Sequence, residues 1–120
     1  MQVLSTILVL VVIVEHFYFL VLEMFYWTKP LGLKTFGKTK EEAESSKVLA
    51  MNMGLYNGFL AVGLLWGLIY PIDFVSVQIQ LFFLVLIIIA GLFGGLTAKR
   101  SIIVVQALPA ALAAIFVLMQ

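Results

Sequence analysis

Four runs of mostly apolar residues, each about as long as a membrane is thick, decide what this 120-residue chain can become. A spanning helix needs about 20 such residues, at 1.5 Å of rise each across a hydrocarbon core of roughly 30 Å. The runs cover about residues 3–27, 48–70, 76–97 and 101–119. The first stops at Trp27-Thr28-Lys29-Pro30, the second at Tyr70-Pro71 and the third at Lys99-Arg100. Tyr26, Trp27, Trp66 and Tyr70 lie near run ends, where amphipathic rings favour the headgroup level. Hydrophobic residues make up 64% of the chain and charged ones 11%, more apolar than a small soluble core can hide. That excludes a soluble enzyme, a nucleic-acid binder and a disordered tail. There is no cysteine, hence no disulfide, thiol chemistry or Cys-ligated metal.

The expected architecture is an all-α, transmembrane four-helix bundle forming a single membrane domain over residues 1–120. Residues 1–27 read as a retained helix rather than a cleaved signal peptide. They have no basic start, their apolar stretch is too long, and they contain Glu15 and Glu23. Orientation follows from the seven basic residues. Lys29, Lys34, Lys38, Lys40 and Lys47 lie between runs one and two, and Lys99 and Arg100 between runs three and four. The remaining connection holds only Asp73. The positive-inside rule therefore puts both basic loops in the cytoplasm and both termini outside, in a multi-pass protein of the plasma membrane. Within the 28–47 loop, Thr39-Lys40-Glu41-Glu42 matches a capping box, predicting a short helix from about 40 that runs into span two. The loop's lysines suit topology and solvation, with an anionic-lipid patch as the functional alternative.

Ionisable residues inside a bilayer cost about 2.5–3.5 kcal/mol on insertion scales and usually face a bundle interior. Span one carries Glu15, His16 and Glu23. With about 100° of rotation per residue, these three share one helix face with Ser5, Phe19 and Tyr26. His16 and Glu23 are about 10 Å apart along the axis, so their partners must come from other helices or water. Span two offers Asn52, Tyr56 and Asn57, while Gly54, Gly58 and Ala61 form a small-residue face for close helix approach. Span three offers Ala90-Gly91 and Gly94-Gly95. Span four groups Gln106, Ala110, Ala113, Ala114 and Val117, and Pro109 is placed to kink it. Counting depth along helices of alternating direction puts Glu23, Asn52 and Gln106 in one polar layer, with Glu15 and His16 level with Tyr56 and Asn57. These residues are the candidate ligand-binding or proton-handling set. The structural alternative is that the Asn, Gln and Tyr side chains only bond helices together, at about 0.6 kcal/mol each. No metal is expected, because one helix cannot bring residues 15, 16 and 23 onto one ion.

The run Glu15-His16-Phe17-Tyr18-Phe19-Leu20-Val21-Leu22-Glu23-Met24-Phe25-Tyr26-Trp27 resembles the opening of the bacterial membrane proteins known as domain of unknown function 1304. The segments Asn52-Met53-Gly54-Leu55-Tyr56-Asn57-Gly58-Phe59-Leu60-Ala61, Ala90-Gly91-Leu92-Phe93-Gly94 and Gln106-Ala107-Leu108-Pro109-Ala110 resemble it too, with Met53 in place of an expected Gln. The resemblance covers nearly the whole chain. It implies four spans and no particular activity.

Three function classes remain open. The first is binding or proton-coupled transport of a small amphipathic molecule. Two carboxyls on one membrane-embedded face cannot both ionise cheaply, so one can exchange a proton for a cation. That logic resembles the small multidrug exporters, although the charge bias argues against their dual topology. The second is an intramembrane enzyme, with Glu or His as acid–base groups on a lipid-like substrate. The third is a non-catalytic accessory subunit. No nucleophile constellation, phosphate loop or cofactor motif is visible. Expected partners are the lipid bilayer and a small amphipathic or lipid-like ligand, with no nucleic acid. So small a bundle also leaves room for a homodimer, although the small-residue faces can be satisfied within one chain.

Overall fold

A computed structural model of the chain describes residues 2–120 and is helical throughout, with no strand among the described residues. Helix α1 spans Gln2–Phe25, α2 Pro30–Phe36, α3 Lys40–Ser45, α4 Lys47–Ile69, α5 Asp73–Thr97 and α6 Leu108–Leu118, the last preceded by a π-helical turn at Ile103–Ala107. Helices α1, α4 and α5 are each long and apolar enough to cross a membrane. The π turn and α6 together make a shorter apolar helix, Ile103–Leu118. At most a third of each long helix is buried within the chain. The remainder, including Ile7, Val14, Phe59, Val62, Phe82 and Ile89, is exposed apolar surface that suits hydrocarbon rather than water.

The chain divides into two compact units, one of residues 14–61 and one of residues 1–13 with 62–120. In the first, α1 and α4 run antiparallel, because Gly54 lies against Glu23 and Met24 while Gly58 lies against Leu20. A Cβ on Gly54 would sit 3.2 Å from the Leu20 carbonyl oxygen, so the missing side chain is what admits the neighbouring backbone. Ala61 is fully buried on the same small-residue face. The 28–47 segment is more ordered than its lysine content suggests. Pro30 opens α2, where its missing N–H costs nothing, and Gly37 closes it at φ 64°, a left-handed cap that suits glycine. The Trp27 ring packs on Phe36 at 4.8 Å, and its indole N–H donates to Ser46 Oγ at 3.2 Å. The expected capping box is present: Glu42 N–H donates to Thr39 Oγ1 at 3.1 Å, and Thr39 N–H to the Glu42 carboxylate at 2.9 Å. The helix it starts does not run straight into span two. Ser46, at φ −109° and ψ 9°, ends α3, and α4 starts afresh at Lys47.

In the second unit, α5 buries a line of Ser76, Gln80, Leu84, Ile87, Gly91 and Gly95 at three- and four-residue spacing, the repeat of one helix face. Gly67 of α4 lies against Ile79 and Gln80, and Gly63 against the Phe83 ring. Gly91 faces the backbone of Ala107, where a Cβ would come within 2.6 Å of its nitrogen. Ala110, Ala113 and Val117 continue that buried stripe along α6. The distortion expected from Pro109 takes the form of the π turn. Proline supplies no N–H for the carbonyl one turn back, and its ring crowds that carbonyl. An extra residue in the preceding turn relieves both.

Candidate functional site

One line of α1 carries the polar side chains inward. Ser5, Val9, Val12, His16, Leu22 and Glu23 are all buried, and Ser5, Val9, Val12, His16 and Glu23 follow the repeat of a single helix seam. Glu23 is 4% exposed and His16 fully buried, which is rare for ionisable groups on an otherwise apolar helix. The His16 ring meets Phe19 edge-on at 5.3 Å. Glu15 stands beside the seam, half-buried, and its Oε1 is enclosed with no hydrogen-bond partner among the described residues.

Across from this seam, Asn57 Nδ2 donates to Glu23 Oε1 at 2.5 Å, linking α1 to α4 over 34 residues of sequence. Depth counting pairs Glu23 with Asn52 instead, and the difference has a clear cause. Cα–Cβ bonds tilt toward each helix's own N-terminus, so on antiparallel helices Glu23 and Asn57 lean toward each other from about one turn apart. Asn52 is exposed, and its amide donates to the Val48 carbonyl of its own helix at 2.9 Å. Tyr56 is 57% exposed, with its ring 6.0 Å from Phe59. Gln106 belongs to the other unit, half-buried within the π turn. The structure thus brings together Glu23 and Asn57 on facing helices, with His16 and Glu15 further along α1. The chemistry available is that of a carboxyl held by an amide donor on two apolar helices, with an imidazole and a second carboxyl that has a vacant acceptor position about two turns further along α1.

The family model of Protein of unknown function (DUF1304) matches residues 10–118. The chain belongs to this family. A relative, the Uncharacterized protein YpaA of Lactococcus lactis, is 40% identical over 110 residues, covering 88% of this chain and 89% of the relative. No solved structure matches the chain. The match to the DUF1304 model takes in every residue of the candidate set.

A second polar group in this DUF1304 chain escapes a reading based on ionisable residues. In the unit of residues 1–13 and 62–120, Ser76 Oγ donates to the Gly67 carbonyl at 2.6 Å, and Gln80 Nε2 donates to Ser76 Oγ at 2.9 Å. Gln120 Nε2 donates to Ser5 Oγ at 2.9 Å, tying the last described residue to α1. The available signal was Gln80 itself, an amide set between Ile79 and Leu81 in an apolar run, at the spacing of Ser76 and Leu84. It carries no charge, so the cost of burying it is easily overlooked.

Proposed function

We propose that this protein is a multi-pass protein of the plasma membrane, with four spans and both termini extracytoplasmic. In this reading the polar side chains of residues 14–61 bind a small amphipathic cation in exchange for a proton. The observation that carries the reading is the Asn57–Glu23 hydrogen bond between two helices long enough to cross a membrane. A bond between two neutral amides would hold α1 to α4 equally well, so the carboxyl supplies something that packing does not require. That something is a site able to hold either a proton or a cation. Asn57 fixes one carboxyl oxygen, leaving the other for the exchanging species, while the vacant Glu15 Oε1 offers a second acceptor on the same helix. His16, buried along the same seam, provides a group that can take up positive charge nearby. The surrounding apolar surface favours a ligand with a lipophilic body.

The test uses the purified protein in liposomes, with tetraphenylphosphonium as the probe cation and an entrapped pH dye as the readout. Wild-type protein is expected to release protons as the cation binds. Glu23→Gln, which keeps the hydrogen-bonding shape and removes the proton, is expected to abolish that release and to weaken binding about tenfold or more, the scale of a lost charge-assisted contact. Tyr56→Phe, on the exposed face, is expected to behave as wild type. Binding and proton release that persist unchanged in Glu23→Gln would sink the exchange reading and leave a structural bond in its place.

A further inference from the structure

The unit of residues 1–13 and 62–120 holds a cavity of about 460 Å³ at the end of α5 remote from Lys99 and Arg100. We propose that this cavity binds a primary ammonium group, presented either by an aminophospholipid headgroup or by a free amine in solution. The argument begins with Gln80, which lines the cavity and is only 4% exposed. Its amide nitrogen is committed to Ser76 Oγ, and its carbonyl oxygen is buried with no partner among the described residues. The assignment of nitrogen and oxygen is forced. The single Ser76 hydroxyl proton goes to the Gly67 carbonyl at 2.6 Å, so Ser76 can only accept from Gln80. The vacant position is therefore an acceptor, and the ligand that completes it must bring a donor. A buried acceptor left unfilled is destabilising, so the fold gains by having it occupied.

Charge selects among donors. Asp73, in the first turn of α5, is the one charged residue lining the cavity among the described residues. The sequence has no Lys or Arg between Lys47 and Lys99 and none before Lys29. The basic residues of this unit, Lys99 and Arg100, lie beyond the far end of α5, about 37 Å away along 25 residues. Among the described residues, no Lys or Arg of its own unit lies beside the Asp73 carboxylate, which repels anions from the cavity mouth. Tyr70, Thr6 and Gln120 add hydroxyl and amide oxygens around the same space. An anionic headgroup is disfavoured, a neutral hydroxyl leaves Asp73 unanswered, and a quaternary ammonium brings no N–H to Gln80. A primary ammonium meets all three demands. The lining also includes Leu68, Phe74 and Val77, and Trp66 and Tyr70 stack edge-on at 6.2 Å at this end of α4. Paired aromatics of this kind mark the headgroup level, where aminophospholipids present their amines.

The experiment places the full chain, labelled with 15N in its glutamine side chains, in lipid nanodiscs and follows the Gln80 amide resonance. Phosphatidylcholine alone is the reference. One arm replaces a third of the lipid with phosphatidylethanolamine, and the other adds ethanolamine to phosphatidylcholine discs. A saturable shift in the first arm only assigns the lipid headgroup. A shift in the second arm only assigns a free amine, and shifts in both assign a cavity open to either. Asp73→Asn is an exposed, nearly isosteric change and is expected to weaken the response about tenfold, while Gln80→Met is expected to remove binding of the amine as read by equilibrium dialysis. If Gln80→Met fails to fold, the Asp73→Asn result decides alone. No shift in either arm, an equal shift with choline, a shift with inorganic phosphate, or an Asp73→Asn response equal to wild type overturns the proposal in favour of a cavity filled by water.

Discussion

Glu23 and Asn57 form the kind of contact whose value in a membrane is easily overstated. Interhelical hydrogen bonds in bilayers average about 0.6 kcal/mol and reach about 1.7, because unpacked helices also find partners. Glu23 is buried and ionisable, Asn57 is half-buried, and the bond is short, which places it toward the upper part of that range. A double-mutant cycle with Glu23→Leu and Asn57→Leu is expected to give a coupling of about 1 kcal/mol, measured by reversible unfolding in mixed micelles. Additive effects would mean that the two side chains do not meet. Asn52→Ala is expected to change stability by less than about 0.5 kcal/mol, as an exposed substitution away from any interhelical contact does. Its amide is satisfied by Val48 of its own helix. Had Asn52 been the partner of Glu23, these two results would be exchanged.

Elements in this chain are set by local signals of different strength. Long apolar runs define α1, α4 and α5 within about three residues, and the Thr39–Glu42 spacing marks the start of α3. Helix α2 was not visible in the same way. It is seven residues long, opened by Pro30 and closed by Gly37, and its contact with α1's end comes from Trp27 on Phe36. That contact is tertiary and leaves no periodic trace. The Asn57–Glu23 bond was hidden for a related reason, since axial counting ignores the tilt of side chains toward each helix start. The capping box gives α3 a pH dependence of defined sign. Accepting the Thr39 backbone N–H, and then the contact with the Thr39 side chain, holds the Glu42 carboxyl below its ordinary 4.5. A depressed folded value contributes stability that is complete above 4.5 and is lost as pH falls through the lower, folded value. Amide exchange at Thr39 is expected to accelerate across that acidic window, and Glu42→Gln, which caps without titrating, is expected to flatten it. The glycines of α5 offer a second contrast. Gly91→Ala drives a Cβ against the Ala107 backbone at 2.6 Å and is expected to cost about 1–3 kcal/mol, as overpacking does. Gly94→Ala meets only the Ile102 side chain at 3.2 Å and is expected to be near neutral or to gain from the better helix former. Equal unfolding shifts in the two variants would contradict this packing.

For the molecule as a whole, the open issue of topology reduces to one helix. If the three long helices alone cross the membrane, the termini lie on opposite sides; if Ile103–Leu118 crosses as well, they lie on the same side. That helix has 16 residues by number, about 24 Å at 1.5 Å each, against a hydrocarbon core of roughly 30 Å. Length alone therefore leaves it short. Two features lengthen its reach. Ser101 and Ile102 are also helical, adding about 3 Å, and a bilayer thins around a short span at a cost of only fractions of a kcal/mol per ångström. Charge weighs on the same side. Lys99 and Arg100 precede the helix, and the bias that favours the cytoplasm for the five lysines between α1 and α4 favours it for them as well. With its start favoured on the cytoplasmic side and no Lys, Arg, Asp or Glu among residues 101–119, this helix is expected to cross rather than lie on the surface. A C-terminal alkaline phosphatase fusion is accordingly expected to be active and a C-terminal green fluorescent protein fusion dark. Substituting Lys99 and Arg100 by Gln is expected to make the C-terminal reporter mixed while a reporter in the 28–47 loop stays cytoplasmic. A fluorescent, phosphatase-inactive C-terminus in the wild-type chain would show that the last helix stays on the cytoplasmic side and that the chain has three spans.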